Sequence, residues 1–259
     1  MKDVVPQEKR TKMEELDPEK RAKNFQEVAQ GYTPQEAVQE AKRCLQCADP
    51  KCRKGCPVEI DIPAFIKLIA QEEFSAAAEK IKEKNSLPAI CGRVCPQEEQ
   101  CEAECVLAAQ GEAIAIGRLE RFAAEYSKEE IDKPAQDKGK VAVIGAGPAG
   151  LTAAGDLAKL GYQVTIFESF HKPGGVLTYG IPEFRLPKDV VQKEIEQIKE
   201  LGVEIKVNKV IGKIKSVDEL LEEDGYQAVF IATGAGLPKF LGLEGENLNG
   251  VYSANEFLT

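Results

Sequence analysis

The stretch from Lys140 to Glu168 constrains the chain more than any other. It reads Lys140-Val-Ala-Val-Ile-Gly145-Ala-Gly147-Pro148-Ala149-Gly150, runs on through a Leu- and Ala-rich segment, and closes with Gln163-Val-Thr-Ile-Phe-Glu168. The first apolar run predicts a buried strand, the Ala-rich segment a helix that starts at the glycine turn, and the second run a parallel strand. Gly145 permits the sharp turn off the strand, and Gly150 lets helix and strand pack closely. Gly147 lets the backbone approach a pyrophosphate held at the helix N-terminus, beside Pro148 and Ala149. Glu168 stands where an acid accepts hydrogen bonds from ribose hydroxyls and repels a 2'-phosphate. Strand, turn, helix and acid in this order predict a dinucleotide site for FAD or NAD(H), with NADP(H) disfavoured.

With 259 residues the chain exceeds one doubly wound unit, so two domains are expected. A net charge of -9 argues against a nucleic-acid or anionic-membrane footprint. The N-terminus, Met1 to Arg10, has no apolar core of the signal-peptide kind, and the most apolar stretch is broken by Asp156, so no membrane span and a cytoplasmic location are expected. Tryptophan is absent and His171, read as a surface residue, is the one histidine, which leaves chemistry to cysteines, carboxylates and bound cofactors.

All eight cysteines lie between Cys44 and Cys105, which sets an N-terminal domain, 1–127, apart from a nucleotide-binding part, 141–259, with a polar linker, 128–140. They form two groups, Cys44-x2-Cys47-x4-Cys52-x3-Cys56-Pro57 and Cys91-x3-Cys95-Pro96-x4-Cys101-x3-Cys105. A reducing compartment disfavours disulfides. A Cys-x2-Cys followed by further cysteines and Cys-Pro is similar to the runs that hold clusters in bacterial ferredoxins, so two 4Fe-4S clusters are the natural reading. Zinc is the rival, although only one group has the Cys-x2-Cys hook that paired zinc hooks would need.

Residues 1–43 read as helical, with Asp17-Pro18 and the Thr33/Glu36 capping box as starts, and as a packing arm without chemistry. Ile62–Ala70 and Phe74–Lys84 have helical periodicity, and Asn85-Ser86-Leu87-Pro88 ends the second of them. Ile114, Ile116, Leu119, Phe122 and Ala123 form a helical apolar stripe beside Glu120, which the pattern alone reads as solvated or paired with an arginine. Gly174-Gly175 to Pro187 is too rich in glycine and proline for a regular element. Val190–Leu201 reads as a helix, Val203–Val207 as a strand, Val217–Glu222 as a helix, and Tyr226–Gly234 as a buried strand.

The two cysteine groups, the segments Cys56-Pro57-Val-Glu-Ile-Asp-Ile-Pro63 and Cys91-Gly-Arg-Val-Cys95-Pro96, and Gly145-Ala-Gly-Pro-Ala-Gly150 together resemble the N-terminal half of the glutamate synthase small-subunit family. That family includes flavin subunits of NADH-dependent ferredoxin:NADP oxidoreductase and of sulfide dehydrogenase, and the N-terminal part of dihydropyrimidine dehydrogenase is built the same way. The resemblance implies an α + α/β chain: a helical, alpha-helical ferredoxin-like domain with two 4Fe-4S clusters, then a doubly wound Rossmann-like FAD domain, incomplete at its C-terminal end. It implies one cluster on Cys44, Cys47, Cys52 and Cys105, and another on Cys56, Cys95 and Cys101 with a side-chain oxygen at the position of Glu120, leaving Cys91 without a ligand role. It also implies FAD contacts from Gly174 and Gly175, from Arg185, and from Thr233 and Gly234.

No second GxGxxG follows, so the expectation is a fragment, or one piece of a protein whose remainder is another chain. The NAD(P)H site would be supplied by that other domain or chain, and electrons would pass to a further redox subunit. No acid–base residue is expected, since flavin and clusters carry the chemistry. The alternative expectation is a non-catalytic interaction module that keeps clusters or zinc for structure.

Overall fold

A computed structural model describes residues 9–126 and 133–259. The first eight residues of the N-terminal stretch, and positions 128–132 of the expected linker, lie outside the described residues. The chain forms two compact units: Met1–Glu130 with Glu183–Val190, and Ile131–Pro182 with Val191–Thr259. The return of Glu183–Val190 to the first unit was not legible in the sequence.

The first unit is helical. In order it contains α1 (Pro18–Arg21), α2 (Pro34–Ala41), α3 (Lys51–Gly55), α4 (Ile62–Ala70), α5 (Phe74–Lys82), α6 (Pro88–Val94) and α7 (Ile116–Tyr126). The Thr33 capping box opens α2, and Asp61 caps α4 through the Ala64 N–H. Phe65, Ile66, Ile69, Ile81, Leu119 and Phe122 are each buried to 1% exposure or less and form the core between α4, α5 and α7. Phe122 stacks on Tyr126 at 4.4 Å and meets the edge of Phe74 at 4.9 Å. Glycine sets the spacing of α6 against α7, because a Cβ on Gly92 would lie 2.5 Å from the Arg121 nitrogen.

The expectation of helix through residues 1–43 is corrected. After α1 the chain leaves the helix, because the Asn24 side chain takes the Lys20 carbonyl and the Gln26 N–H turns back to Asn24 Oδ1. The segment then folds antiparallel on itself, with Leu16 N–H donating to Val28 and Gln30 N–H to Glu14.

The second unit holds β1 (Lys140–Ile144), α8 (Pro148–Lys159), β2 (Gln163–Phe167), α9 (Val176–Tyr179), α10 (Lys188–Glu200, whose first turn belongs to the first unit), β3 (Glu204–Lys206), α11 (Val217–Glu222), β4 (Ala228–Ile231) and α12 (Ala254–Leu258). The sheet runs β3-β2-β1-β4, all pairs parallel, with Ile144 opposite Phe167 and Ile231. Ala142, Ile144, Phe167 and Leu220 pack into one core cluster.

The expected buried strand near Tyr226–Gly234 is instead an outer strand. Among the described residues β4 pairs only with β1, and Phe230 and Ile231 are 43% and 63% exposed. Among the described residues no helix is long and apolar enough to cross a membrane.

Candidate cofactor and metal sites

At the C-terminal end of β1 the backbone turns through Gly145, whose φ of +106° suits glycine. A Cβ there would stand 2.3 Å from the Ala232 carbonyl oxygen, so the turn packs directly on the segment that leads to Thr233 and Gly234. Ala232 N–H donates to Ile144, which carries β4 past the turn and leaves Thr233 and Gly234 exposed beside it. A Cβ on Gly150 would fall 1.9 Å from the Gly145 oxygen, so only glycine lets α8 start this close to β1.

Gly147 differs from these two. Its φ is -76°, and an added Cβ would find only the Gly175 Cα, at 4.0 Å. The space above it is open, floored by glycine backbone from two segments, and Gly174 N–H ties those segments together by donating to Ala146. Gly147 is the N-cap of α8 and offers no side-chain cap, so the first N–H groups of the helix face outward beside Pro148 and Ala149. A glycine-floored, uncapped helix start fits a diphosphate.

Glu168 is buried at the end of β2. Its Oε2 accepts from Ala146 N–H at 2.7 Å, and its Oε1 from Phe170 N–H at 2.8 Å and Ser169 Oγ at 3.1 Å. The acid therefore braces the glycine turn, and its carboxylate keeps lone pairs for further donors. Arg185 is exposed, on the segment that clusters with the first unit, where Phe184 accepts from Val28 N–H. His171 is exposed, with Nδ1 3.3 Å from the Tyr179 hydroxyl, as a surface residue would be.

The cysteines of the first unit are all free. Cys44, Cys47, Cys52 and Cys105 line one concavity, although Cys105 comes from the far group in sequence. Ile62, Ile66, Leu107, Ile114 and Ile116 wall it with hydrocarbon. Burial pushes the Cys44 thiol up, and burial with the neighbouring Cys44 and Cys105 sulfurs pushes Cys52 up to about 12. Thiolates at Cys44 and Cys52 are disfavoured without a cation beside them, which suits a metal centre, although among the described residues no three cysteines or acids are drawn together as a closed ligand set.

The remaining candidates, Cys56, Cys95, Cys101, Cys91 and Glu120, are linked pair by pair. Gly55 brings the chain at Cys56 against Cys101, since a Cβ there would lie 3.2 Å from the Cys101 Cα. Burial pushes the Cys101 thiol up, and the charges of Glu102, Glu120 and Cys56 push it further. Cys91 and Cys95 share a hydrogen bond one helical turn apart, which raises the first and lowers the second.

Glu120 is 6% exposed, so the solvated reading of this acid is corrected. Its Oε1 accepts from Asn85 Nδ2 at 2.7 Å, and its charge acts on both Cys91 and Cys101. Asn85 was missed in the sequence, where its only signal was helix termination. Glu102 is the other buried acid near Cys101, but its carboxylate is held by Arg10 at 2.5 Å and by Gly117 N–H at 3.1 Å.

Residues 21–131 match the family described as dihydropyrimidine dehydrogenase domain II, 4Fe-4S cluster, and residues 139–257 match pyridine nucleotide-disulphide oxidoreductase. The chain is 44% identical over 220 residues to the NAD-dependent dihydropyrimidine dehydrogenase subunit PreT of Escherichia coli O157:H7, covering 83% of this chain and 53% of that one. It is 40% identical over 254 residues to the glutamate synthase [NADPH] small chain of Halomonas elongata, covering 93% and 53%. The small chain of Escherichia coli K12 is 38% identical over 239 residues, covering 90% and 50%. The chain thus spans about half the length of the curated relatives it matches.

Proposed function

The chain belongs to the FAD/iron-sulfur oxidoreductase family of the glutamate synthase small chains and PreT, and from that premise we propose that it is an electron-transfer module linking FAD to two 4Fe-4S clusters. The observation that carries the reading is that Cys44, Cys47, Cys52 and Cys105, drawn from both cysteine groups, line one hydrocarbon-walled concavity. These four would hold one cluster, and Cys56, Cys95, Cys101 and Glu120 the other. Residues 1–127 would form the cluster domain and 141–259 the FAD domain.

When bound, FAD takes up two electrons as a hydride equivalent and releases them singly, and the clusters carry single electrons. The residues of the chain bind and insulate. The outward N–H groups at the start of α8, with Gly147, Gly174 and Gly175, would hold the diphosphate, and Gly145 keeps Thr233 and Gly234 beside that turn. Glu168 would offer its remaining lone pairs to the ribose while bracing Ala146. Arg185 would add a further cofactor contact. Ile62, Ile66, Ile114 and Ile116 would insulate a cluster on the first cysteine set with hydrocarbon. NAD(P)H would bind to a further domain or chain, and a redox subunit would receive the electrons, as in a glutamate synthase or a bifurcating transhydrogenase.

The test is anaerobic reduction of the native complex by NAD(P)H. Flavin absorbance should bleach, and the signals of reduced clusters should then appear in electron paramagnetic resonance (EPR) spectra. Bleaching without any cluster signal would leave a flavoprotein with structural metal only and refute the electron-transfer reading.

A further inference from the structure

We propose that Arg10 is a positioning residue that latches residues 112–117 as a strap against the first cysteine set, and that this strap shields the set from solvent. Its bearing on a cluster rests on the cluster reading above. Residues 110–115 have no regular secondary structure, so their buried backbone groups need partners from elsewhere. Ala113, Ile114, Ala115 and Ile116 are all buried, and Ile114 and Ile116 line the same concavity as Cys44, Cys47, Cys52 and Cys105.

Two ion pairs supply those partners. Glu40 and Arg43, 0% and 3% exposed, meet at 2.7 Å where α2 ends, just before Cys44. Arg43 Nη2 donates to the Glu112 carbonyl at 2.6 Å, and Glu40 Oε1 accepts from Ala115 N–H at 2.9 Å. The second pair is Arg10 with Glu102, at 2.5 Å, beside Cys101. Arg10 Nε donates to the Ala113 carbonyl at 2.6 Å, and Nη2 reaches the Ile114 carbonyl at 3.4 Å. Glu102 Oε1 accepts from Gly117 N–H at 3.1 Å, in the first turn of α7, where a helix has no partner of its own.

The two pairs differ in what they depend on. Glu40 and Arg43 are three residues apart and stand together without the strap. Arg10 and Glu102 are 92 residues apart, so their pair forms only when the N-terminal segment lies against the strap. Arg10 N–H donates to Glu112 Oε2 and Thr11 N–H to Glu40 Oε2, each at 2.7 Å, which seats that segment. A guanidinium can serve one carboxylate and two carbonyls from a single planar fork, and an ammonium cannot. The Arg10 side chain is 24% exposed, so the latch sits at the surface and its loss opens no cavity in the helical core. One arginine thereby joins the wall of the first cysteine set to the Cys101 segment.

The experiment compares the full chain in its native complex, wild type against Arg10→Met, Arg10→Ala and Arg10→Lys. Amide hydrogen exchange is read by mass spectrometry on peptides covering 110–118, with peptides from α4 and α5 as controls. Samples held in air for increasing times are then reduced, and the EPR signal of each cluster is integrated. In Arg10→Met the strap should exchange about tenfold faster, the loss of charge-assisted hydrogen bonds, with α4 and α5 unchanged. One cluster should be lost several-fold faster in air and the other at the wild-type rate. Arg10→Lys, which keeps the ion pair and loses the fork, should fall between.

Wild-type exchange over 110–118 in Arg10→Met would overturn the latch, as would faster exchange spread equally over α4 and α5. Wild-type decay of both clusters would overturn the shielding. Arg10→Met retains an unbranched stem and decides the matter where Arg10→Ala does not fold. Wild-type protein free of iron and sulfide would overturn the cluster reading alone. In that protein the exchange measurement still decides the latch, and alkylation of the first cysteine set by N-ethylmaleimide decides the shielding: faster in Arg10→Met supports it, and an unchanged rate overturns it.

Discussion

Replacing Gly147 by alanine should separate nucleotide binding from folding. The new Cβ would meet nothing closer than the Gly175 Cα, at 4.0 Å, and the backbone at φ -76° is open to any residue. The folding cost is confined to a poorer N-cap, offset by a less flexible unfolded chain, so stability should change by about 1 kcal/mol or less and the melting temperature by about 4 °C. The same methyl would stand in the open cradle where the diphosphate meets the helix start. Losing one charge-assisted backbone hydrogen bond there removes about 1.5–3 kcal/mol, roughly 10- to 100-fold in FAD dissociation constant. Gly150→Ala is the control, since its Cβ would sit 1.9 Å from the Gly145 oxygen and must unseat α8, lowering stability by about 3 kcal/mol. Flavin fluorescence titration reads binding and circular dichroism reads melting. A Gly147→Ala protein that binds FAD normally, or that melts as early as Gly150→Ala, would refute the reasoning.

Two further outcomes follow from the helical unit. Glu120→Ala should alter the EPR signal or potential of one cluster and leave the other cluster and the FAD content unchanged, while Cys91→Ala should do much less; the reverse pattern in EPR-monitored redox titrations would make Cys91 the ligand. Gly92→Ala should force α6 from α7, because its Cβ would fall 2.5 Å from the Arg121 nitrogen, and should therefore lower the iron content on the Cys95 side without affecting flavin; full iron content in that variant would show that the helix spacing does not position the site.

The glycine turn was legible in the sequence because steric demands there are local: Gly145 and Gly150 are required by contacts at 2.3 and 1.9 Å, whatever the rest of the chain does. The grouping of Cys105 with Cys44, Cys47 and Cys52 came from the family resemblance, since spacing alone could not pair residues across the three intervening helices, α4, α5 and α6. The burial of Glu120 was obscured because an acid on an apolar stripe reads as solvated until its partner is known. That partner, Asn85, lies on a different element. Capping signals at Asp17 marked where a helix starts but not that Asn24 would end it within two turns. Likewise the apolar run Ala228–Ile231 reads as buried, and its position at the edge of the sheet depends on which strands lie beside it.

Metal and sulfide analysis of anaerobically purified protein tests the central claim most directly. Two cubane clusters predict about eight iron and eight acid-labile sulfide per chain. Stoichiometric zinc without labile sulfide would contradict the account and leave the cysteine sets as structural metal sites.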